Sequence, residues 1–356
     1  MNTFDLFKQA TEIDGISGHE QNISRWFVSL IKDYVDEIKY DRLGSVVAIK
    51  KSKNPNARVL MIDGHLDEVG FIVKYIHKNG CLGIKEIGGW FAQNLLSSRV
   101  TLTTKNNQTY QGCITSIAPH LLSVEARNKV IAIDNMLVDC GFRSQEEALA
   151  AGVEIGNMIV VNGQCQKLSE TRLVAKAIDN RYSLVMMIEL ARALKEYELD
   201  YDLVFNASVQ EEVGLRGAMT ASCLINPDLA IVLDCSPSSC PYDNNSLGQI
   251  GSGALIRVLD GGFIPNQAFI DYYIEMLEST NSKYQYFISA GNTNASVIHK
   301  YGIGVVTLTA CICGRSLHTC SSVIDLEDYS AVYNGLKLML TKLNDSKIDE
   351  LLNSMR

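Results

Sequence analysis

Side chains able to bind cations or move protons recur in this 356-residue chain directly after apolar runs. Asp63-Gly64-His65-Leu66-Asp67 follows RVLMI, Gln210-Glu211-Glu212 follows LVFNASV, and Asp234 follows LAIVL. Arg315-Ser316-Leu317-His318 follows VVTLTACICG, and Asp179 precedes a long helical run. If the apolar runs are strands of one open α/β sheet, these groups gather beyond its carboxyl ends, where such sheets place their sites. Imidazole mixed with carboxylate suits Zn²⁺, Co²⁺ or Mn²⁺. The groups are too many for a single ion that keeps an open position. They suit two ions sharing a bridging carboxylate. The Glu211–Glu212 doublet raises a geometric problem, because neighbours on an extended chain point to opposite sides. Both acids can serve one site only if the backbone turns there. Taken singly, each feature has a plain structural explanation: His65-Leu66-Asp67 a loop, Asp179 a helix N-terminal acid, the doublet a solvated pair. Asp234 is the least ordinary, since a carboxylate ending an apolar strand is partly buried and needs a partner.

Other chemistries find no support. There is no GxSxG elbow and no GxxxxGK[ST] loop, and GQIGSG at 248–253 neither matches GxGxxG nor precedes a helix. The chain is 47% hydrophobic and 20% charged, with a net charge of −8 and no basic run. That composition suits a soluble enzyme and excludes disorder. It offers nothing for nucleic acid to bind. No stretch approaches the roughly 20 apolar residues of a membrane span, and MNTFDLFKQATEIDG lacks the apolar core of a signal peptide. A cytoplasmic protein is expected. The ten Cys agree, being scattered without a CxxC pair, as at Cys113, Cys235, Cys311 and Cys313. They are read as buried reduced thiols, with a thiolate metal site as the alternative.

The elements that must hold these groups follow from periodicity. Residues 4–38 have helical spacing, and SGHE at 17–20 has the form of a helix start, Ser with Glu three residues on. The runs SVVAIKK and RVLMIDGH read as strands. From 70 to 165, closely spaced strands with turn residues between them indicate a small β-barrel or sandwich, interrupted by one helix at SQEEALAAG. From 171 the order is αβαβ: an amphipathic helix from DNRYSLV, then the apolar strands DLVFNASV, LAIVLDC, LIRVLD and VVTLTA, expected in a sheet covered on both faces. The expected architecture is an α/β domain of 1–69 and 166–356, with a covered mixed sheet, and an inserted β-barrel-like domain at 70–165.

GHLDEVGF, AIDNR, VQEEVGLRGA, VLDCSPS and RSLHT, in this order, closely resemble the glutamyl aminopeptidases, members of the dinuclear-metal tetrahedral aminopeptidase family. The resemblance covers nearly the whole chain, including IGGW and PHL in the insert. It implies a metallopeptidase domain with an inserted β-domain used in oligomerisation, commonly as dodecamers. Carried over by position, it makes His65, Asp179, Glu212, Asp234 and His318 the metal ligands, with Asp179 the bridge, Glu211 the general base and Asp67 a helper that orients the His65 imidazole. It further implies two divalent ions per subunit (Zn, Co or Mn) and peptide substrates. Acidic-specific members carry an arginine on the strand matching GSGALIRVLD, where Arg257 stands. A guanidinium matches a Glu or Asp side chain in a planar, bidentate way. The family's usual Gly-Gly-Thr-Asp-Ala is here Gly291-Asn292-Thr293-Asn294-Ala295. The lost carboxylate is expected to lie near the cleft and to change how the substrate amine is held.

The expected activity is removal of N-terminal residues, Glu or Asp, from peptides. The rival readings are a broad-specificity aminopeptidase or deacylase of the same architecture, a glycoside hydrolase as some members have been labelled, and an inactive structural oligomer. Glycoside hydrolysis needs two carboxylates flanking a sugar and no metal pair, so chelator sensitivity separates it from the peptidase. Metal content tests the inactive form.

Overall fold

The computed structural model describes residues 1–238 and 247–355. Its centre is a six-stranded sheet in the order Glu37–Tyr40, Val46–Lys50, Asp202–Ser208, Val59–His65, Leu229–Val232, Val306–Thr309. The last four strands are parallel, and Val46–Lys50 runs antiparallel to both its neighbours. Parallel strands in register bring their carboxyl ends to one edge: Ser208 pairs with His65, and Val232 with Asp63.

Strand alternation sends neighbouring residues to opposite faces. Leu60 and Ile62 enter the main core with Phe205 and Leu184, whereas Met61 joins Val204, Ala218 and Ile298 on the other face. Apolar residues on both faces explain the unbroken apolar runs of these strands. The helix Ile178–Ala193 differs from its amphipathic reading. It is buried nearly all round, because the helices Thr3–Glu12 and Gln21–Ile31 cover the side turned away from the sheet.

Two further expectations are corrected. The helical spacing read to residue 38 ends at Ile31, and Glu37–Tyr40 is an edge strand. The reversal after it is fixed by Asp41 Oδ1, which accepts from the amides of Leu43, Gly44 and Ser45. The strand Ala254–Leu259, which carries Arg257, lies outside the central sheet and pairs in parallel with Tyr284–Ile288. A short apolar run shows that a strand forms, not which sheet accepts it.

Between Gly70 and Val161 six strands close into a barrel in the order Gly70–Ile76, Leu82–Ile87, Leu137–Asp139, Thr109–Thr115, Arg99–Thr103, Met158–Val161. Neighbours are antiparallel throughout, and Phe71 opposite Ile159 completes the closure. Phe71, Leu82, Leu102, Val138 and Ile159 form a core separate from that of the sheet. The helix Gln145–Ala150 interrupts the barrel, capped by Ser144. Among the described residues no helix is long and apolar enough to cross a membrane. Cys165, Cys235, Cys311 and Cys313 are buried free thiols, but Cys113 is exposed on the barrel wall and Cys223 is exposed on its helix. Among the described residues no group with metal-holding geometry contains a cysteine. Cys240 lies outside them.

Candidate metal centre

Arg257 lies within the strand Ala254–Leu259, and the other predicted site residues lie at or just beyond the ends of elements. His65 closes the strand Val59–His65, and Asp67 follows in the connection to the barrel. Asp234 lies two residues beyond Leu229–Val232. Asp179 is the second residue of the helix Ile178–Ala193, with non-helical backbone at Asp179 and Asn180. That helix start is locked to the sheet edge. Asn180 Nδ2 donates to the Leu233 carbonyl (2.8 Å) and the Tyr182 hydroxyl to the Asp234 carbonyl (3.0 Å). Gly64 permits the approach, since a Cβ there would lie 2.3 Å from Ser183 Oγ. Glu211 and Glu212 follow the strand Asp202–Ser208, and the backbone does turn between them and the strand: Gln210 has φ 56°. Ala177 (φ 54°) and His318 (φ 55°) are likewise left-handed. Such strained residues concentrate at functional sites.

The Asp179 carboxylate stands between the two imidazoles. Its Oδ1 is 3.3 Å from His65 Nε2 and its Oδ2 3.3 Å from His318 Nε2. Glu212 Oε1 is 3.2 Å from His318 Nε2, and Glu211 Oε2 is 3.8 Å from His65 Nε2. His65 Nδ1 is 3.0 Å from the Asp67 carbonyl, and His318 Nδ1 is 2.7 Å from the Gly89 carbonyl of the barrel segment. A carbonyl only accepts, so each Nδ1 carries hydrogen and each Nε2 is the nitrogen left facing the cluster, able to bind a cation once it holds no proton. This is the tautomer a metal ligand needs. Gly88 lets the barrel loop come this close: at φ 78°, a Cβ there would meet Val69 and lie 3.1 Å from Glu212 Oε2.

The donor set fits cations. His65, Asp179 and Asp234 form one group with ligand atoms mutually within 4.8 Å, and Asp179, Glu212 and His318 form a second that shares Asp179. His65, Glu211 and Glu212 form a further such group. Asp179 Oδ1 and Glu212 Oε1 are buried without a hydrogen-bond partner, a costly state unless a cation takes the lone pairs. Burial, with the Asp179 charge adding to it, pushes Asp234 up to about 7. Burial also holds Glu211 well above, and Glu212 above, the usual carboxylate range. Burial opposes charge on His318, but the contacts with Asp179 and Glu212 outweigh it and push the imidazole up to about 11. Divalent ions held by these groups would displace any protons they carry.

A family model described as M42 glutamyl aminopeptidase matches residues 44–334. The chain belongs to this family. It is a metallo-aminopeptidase. It is 30% identical to a glutamyl aminopeptidase of Lactococcus lactis subsp. cremoris over 99% of this chain and 100% of that protein. It is 33% identical to a lysyl aminopeptidase of Pyrococcus furiosus over 98% of each. Among solved structures, a TET aminopeptidase from a marine sediment Thaumarchaeota archaeon superposes with a TM-score of 0.94 at 30% identity, covering 98% of both chains. The TET1 peptidase of Pyrococcus horikoshii, described as assembling into a tetrahedron or a large octahedral shell, superposes at 0.87 with 26% identity, covering 96% of this chain and 100% of that one.

In this M42 chain a cavity of about 550 Å³ opens from the cluster, with Asp179, Glu211, Glu212, Asp234 and His318 on one side and Arg257, Phe287 and Asn292 on another. Arg257 is 3% exposed. Its Nε donates to Ser236 Oγ (2.9 Å), while its Nη1 is buried without a partner. Asn294 does not line the cavity but lies beneath the sheet edge, and its Nδ2 donates to Asp63 Oδ2 (2.7 Å) and Ser208 Oγ (2.9 Å). Asn206 holds the other Asp63 oxygen at 2.5 Å. The buried carboxylate of this network thus stands at 63, and an acid at 294 would face it. Asn292 does line the cavity. Asp67 keeps its carboxylate 3.5 Å from His65 Nδ1 and also accepts from the amides of Glu211 (3.0 Å) and Glu212 (3.2 Å) and from Ser17 Oγ (2.6 Å). Ser17, Glu20, Gly88 and Gly89 were not predicted as site residues. Gly88 and Gly89 lie in IGGW, which gave a signal only as part of the resemblance, and the spacing of SGHE matched a local helix cap equally well.

Proposed function

We propose that the enzyme removes N-terminal Glu or Asp from peptides in the cytoplasm, using two divalent ions, Zn, Co or Mn. His65, Asp179 and Asp234 would hold one ion and Asp179, Glu212 and His318 the other, with Asp179 as the bridge. Bound there, the ions would supply Lewis-acid polarisation of the scissile carbonyl and activation of a water. Glu211 takes that water's proton and passes it to the leaving amine. Its position supports this role: Glu211 Oε2 lies 3.8 Å from His65 Nε2 and the side chain lines the cavity beside the cluster. Asp67 acts by holding the turn on which Glu211 and Glu212 sit. Supporting the pair of ions is the shared Asp179 carboxylate, one oxygen toward each imidazole.

The observation that carries the acidic preference is Arg257, whose buried Nη1 has no partner and which lines the cavity beside the cluster. The family includes both a glutamyl and a lysyl aminopeptidase, so the side-chain preference rests on this chain's own residues. A buried guanidinium in the cavity's lining with one unpartnered nitrogen favours a substrate carboxylate and repels a lysine ammonium. The test is an aminoacyl-anilide panel (Glu, Asp, Leu, Lys) with added Zn²⁺, Co²⁺ or Mn²⁺, run on the wild type and on Arg257→Met. The variant is expected to lose about tenfold or more in kcat/KM on the Glu substrate, since a charged hydrogen bond contributes roughly 1.5–3 kcal/mol. Leu-anilide should lose much less. Equal losses on both substrates would refute the role.

A further inference from the structure

Once the strand Asp202–Ser208 ends, the amides of the turn no longer have ladder partners. Two carboxylates accept three of them in succession. Glu20 Oε1 takes the amide of Gln210 (3.0 Å), and Asp67 takes those of Glu211 (3.0 Å) and Glu212 (3.2 Å). Ser17 Oγ donates to Asp67 Oδ2 at 2.6 Å and so fixes the second carboxylate. Ser17, Glu20 and Asp67 are all buried. The segment carrying Ser17 is itself tied to the sheet edge: the Glu68 amide donates to the Gly15 carbonyl (3.0 Å), and Lys176 clasps the Glu68 carboxylate at 2.7 Å. The form of a capping box is therefore not used as one. The helix Gln21–Ile31 has Glu20 as its N-cap with no side-chain cap bond. Of the two side chains that would make such a box, Glu20 bonds the turn directly and Ser17 bonds Asp67, which in turn holds it. That turn runs through a left-handed Gln210, a backbone state that persists only where its surroundings hold it.

We propose that Glu20 and Ser17 are positioning residues of the hydrolytic site. They clamp the turn 210–212 so that Glu211 meets the attacking water and Glu212 meets the metal position. The inference rests on the reading of Glu211 as the base.

The experiment compares Glu20→Ala, Glu20→Gln and Ser17→Ala in the full chain with added metal, measuring kcat and KM on Glu-anilide together with bound metal per subunit. Glu20→Ala removes the acceptor, and kcat per bound metal should fall about tenfold or more with KM changed less than about threefold, as expected of a misaimed base. Glu20→Gln keeps an oxygen acceptor and should stay within about threefold of wild type in kcat. Ser17→Ala should fall between the two. Wild-type kcat per metal in Glu20→Ala, or a loss in Glu20→Gln as deep as that in Glu20→Ala, would overturn the proposal. An activity loss fully accounted for by lost metal would overturn it as well. If Glu20→Ala does not fold, Ser17→Ala decides, and wild-type kcat there overturns the clamp. Glu211→Gln is run alongside. If it is active, the base assignment falls and the clamp with it. If it is inactive while Glu20→Ala is fully active, only the clamp falls.

Discussion

Glu211 and Glu212 are chemically identical and adjacent, yet the fold gives them different surroundings. Glu212 lies 3.2 Å from His318 Nε2, whereas Glu211 is 3.8 Å from His65 Nε2 and is raised well above the carboxylate range by burial. Glu211→Gln keeps shape and removes the proton acceptor. It should retain metal while kcat drops about 100- to 10,000-fold. Glu212→Gln removes an anionic ligand, so metal affinity should fall and excess metal should restore part of the activity. Metal stoichiometry measured beside kcat distinguishes the two, and the reverse pattern would exchange their roles. The protonated cluster makes a second demand at this scale. Adding Zn²⁺ to metal-free enzyme in weakly buffered solution at pH 7 should release protons, since His318 is pushed up to about 11 by Asp179 and Glu212. Metal uptake without proton release would show that these groups are not the ligands.

At the scale of elements, the strands Val59–His65 and Asp202–Ser208 and the segment at 294 meet in one buried polar network, Asp63 with Asn206, Asn294 and Ser208. Burial raises Asp63 to about 6, while the amide donors of Asn294 and Asn206 work in the opposite direction. A carboxyl raised in the folded state contributes stability below its unfolded value, near 4, and that contribution is lost as pH rises through about 6. Asn294→Asp removes a donor and places a second acid against the first, so Asp63 rises further and the loss steepens. The variant should be close to wild type in stability at pH 5 and less stable by about 3 kcal/mol at pH 8. Thermal unfolding across that range measures it, and a difference independent of pH would refute the face-to-face arrangement.

At the scale of the molecule, the barrel region carries a series of exposed apolar side chains. The stretch IGGWFAQNLL contributes fewer of them than its composition suggests, because Trp90 stacks on Phe71 at 4.9 Å and Leu95 is buried. Phe91 and Leu96 are exposed, and Ile117, Leu121, Val124 and Val130 extend the patch. A cavity of about 600 Å³ lies among them, lined by Leu96, Ile117 and Val130. Patches of this kind mark interfaces, and the structurally similar TET1 peptidase forms large shells. If this chain assembles as a dodecamer through the barrel, Leu121→Asp combined with Val124→Asp should yield smaller species by light scattering, with the barrel still folded because both side chains are exposed. An unchanged mass would place the contact on another face.

The sequence by itself pointed to the chemistry. Apolar runs with polar groups at their ends indicated a parallel sheet and named His65, Asp67, Asp179, Glu211, Glu212, Asp234 and His318, because strand ends of an α/β sheet converge whatever the loops do. Closely spaced strands between turn residues indicated the barrel. What the tertiary structure decided is who faces whom. Asn294 was expected near the cleft and proves to lie beneath the sheet edge, against Asp63. Asp67 was paired by spacing with an imidazole and, beside it, also holds amides far along the chain. Ser17 and Glu20 had the spacing of a helix cap, but Ser17 bonds Asp67 and Glu20 reaches the turn at 210. Local spacing reports what a side chain can do within one element. Burial and long-range hydrogen bonds decide which partner is left for it, and they depend on residues more than a hundred positions away, which no window of sequence contains.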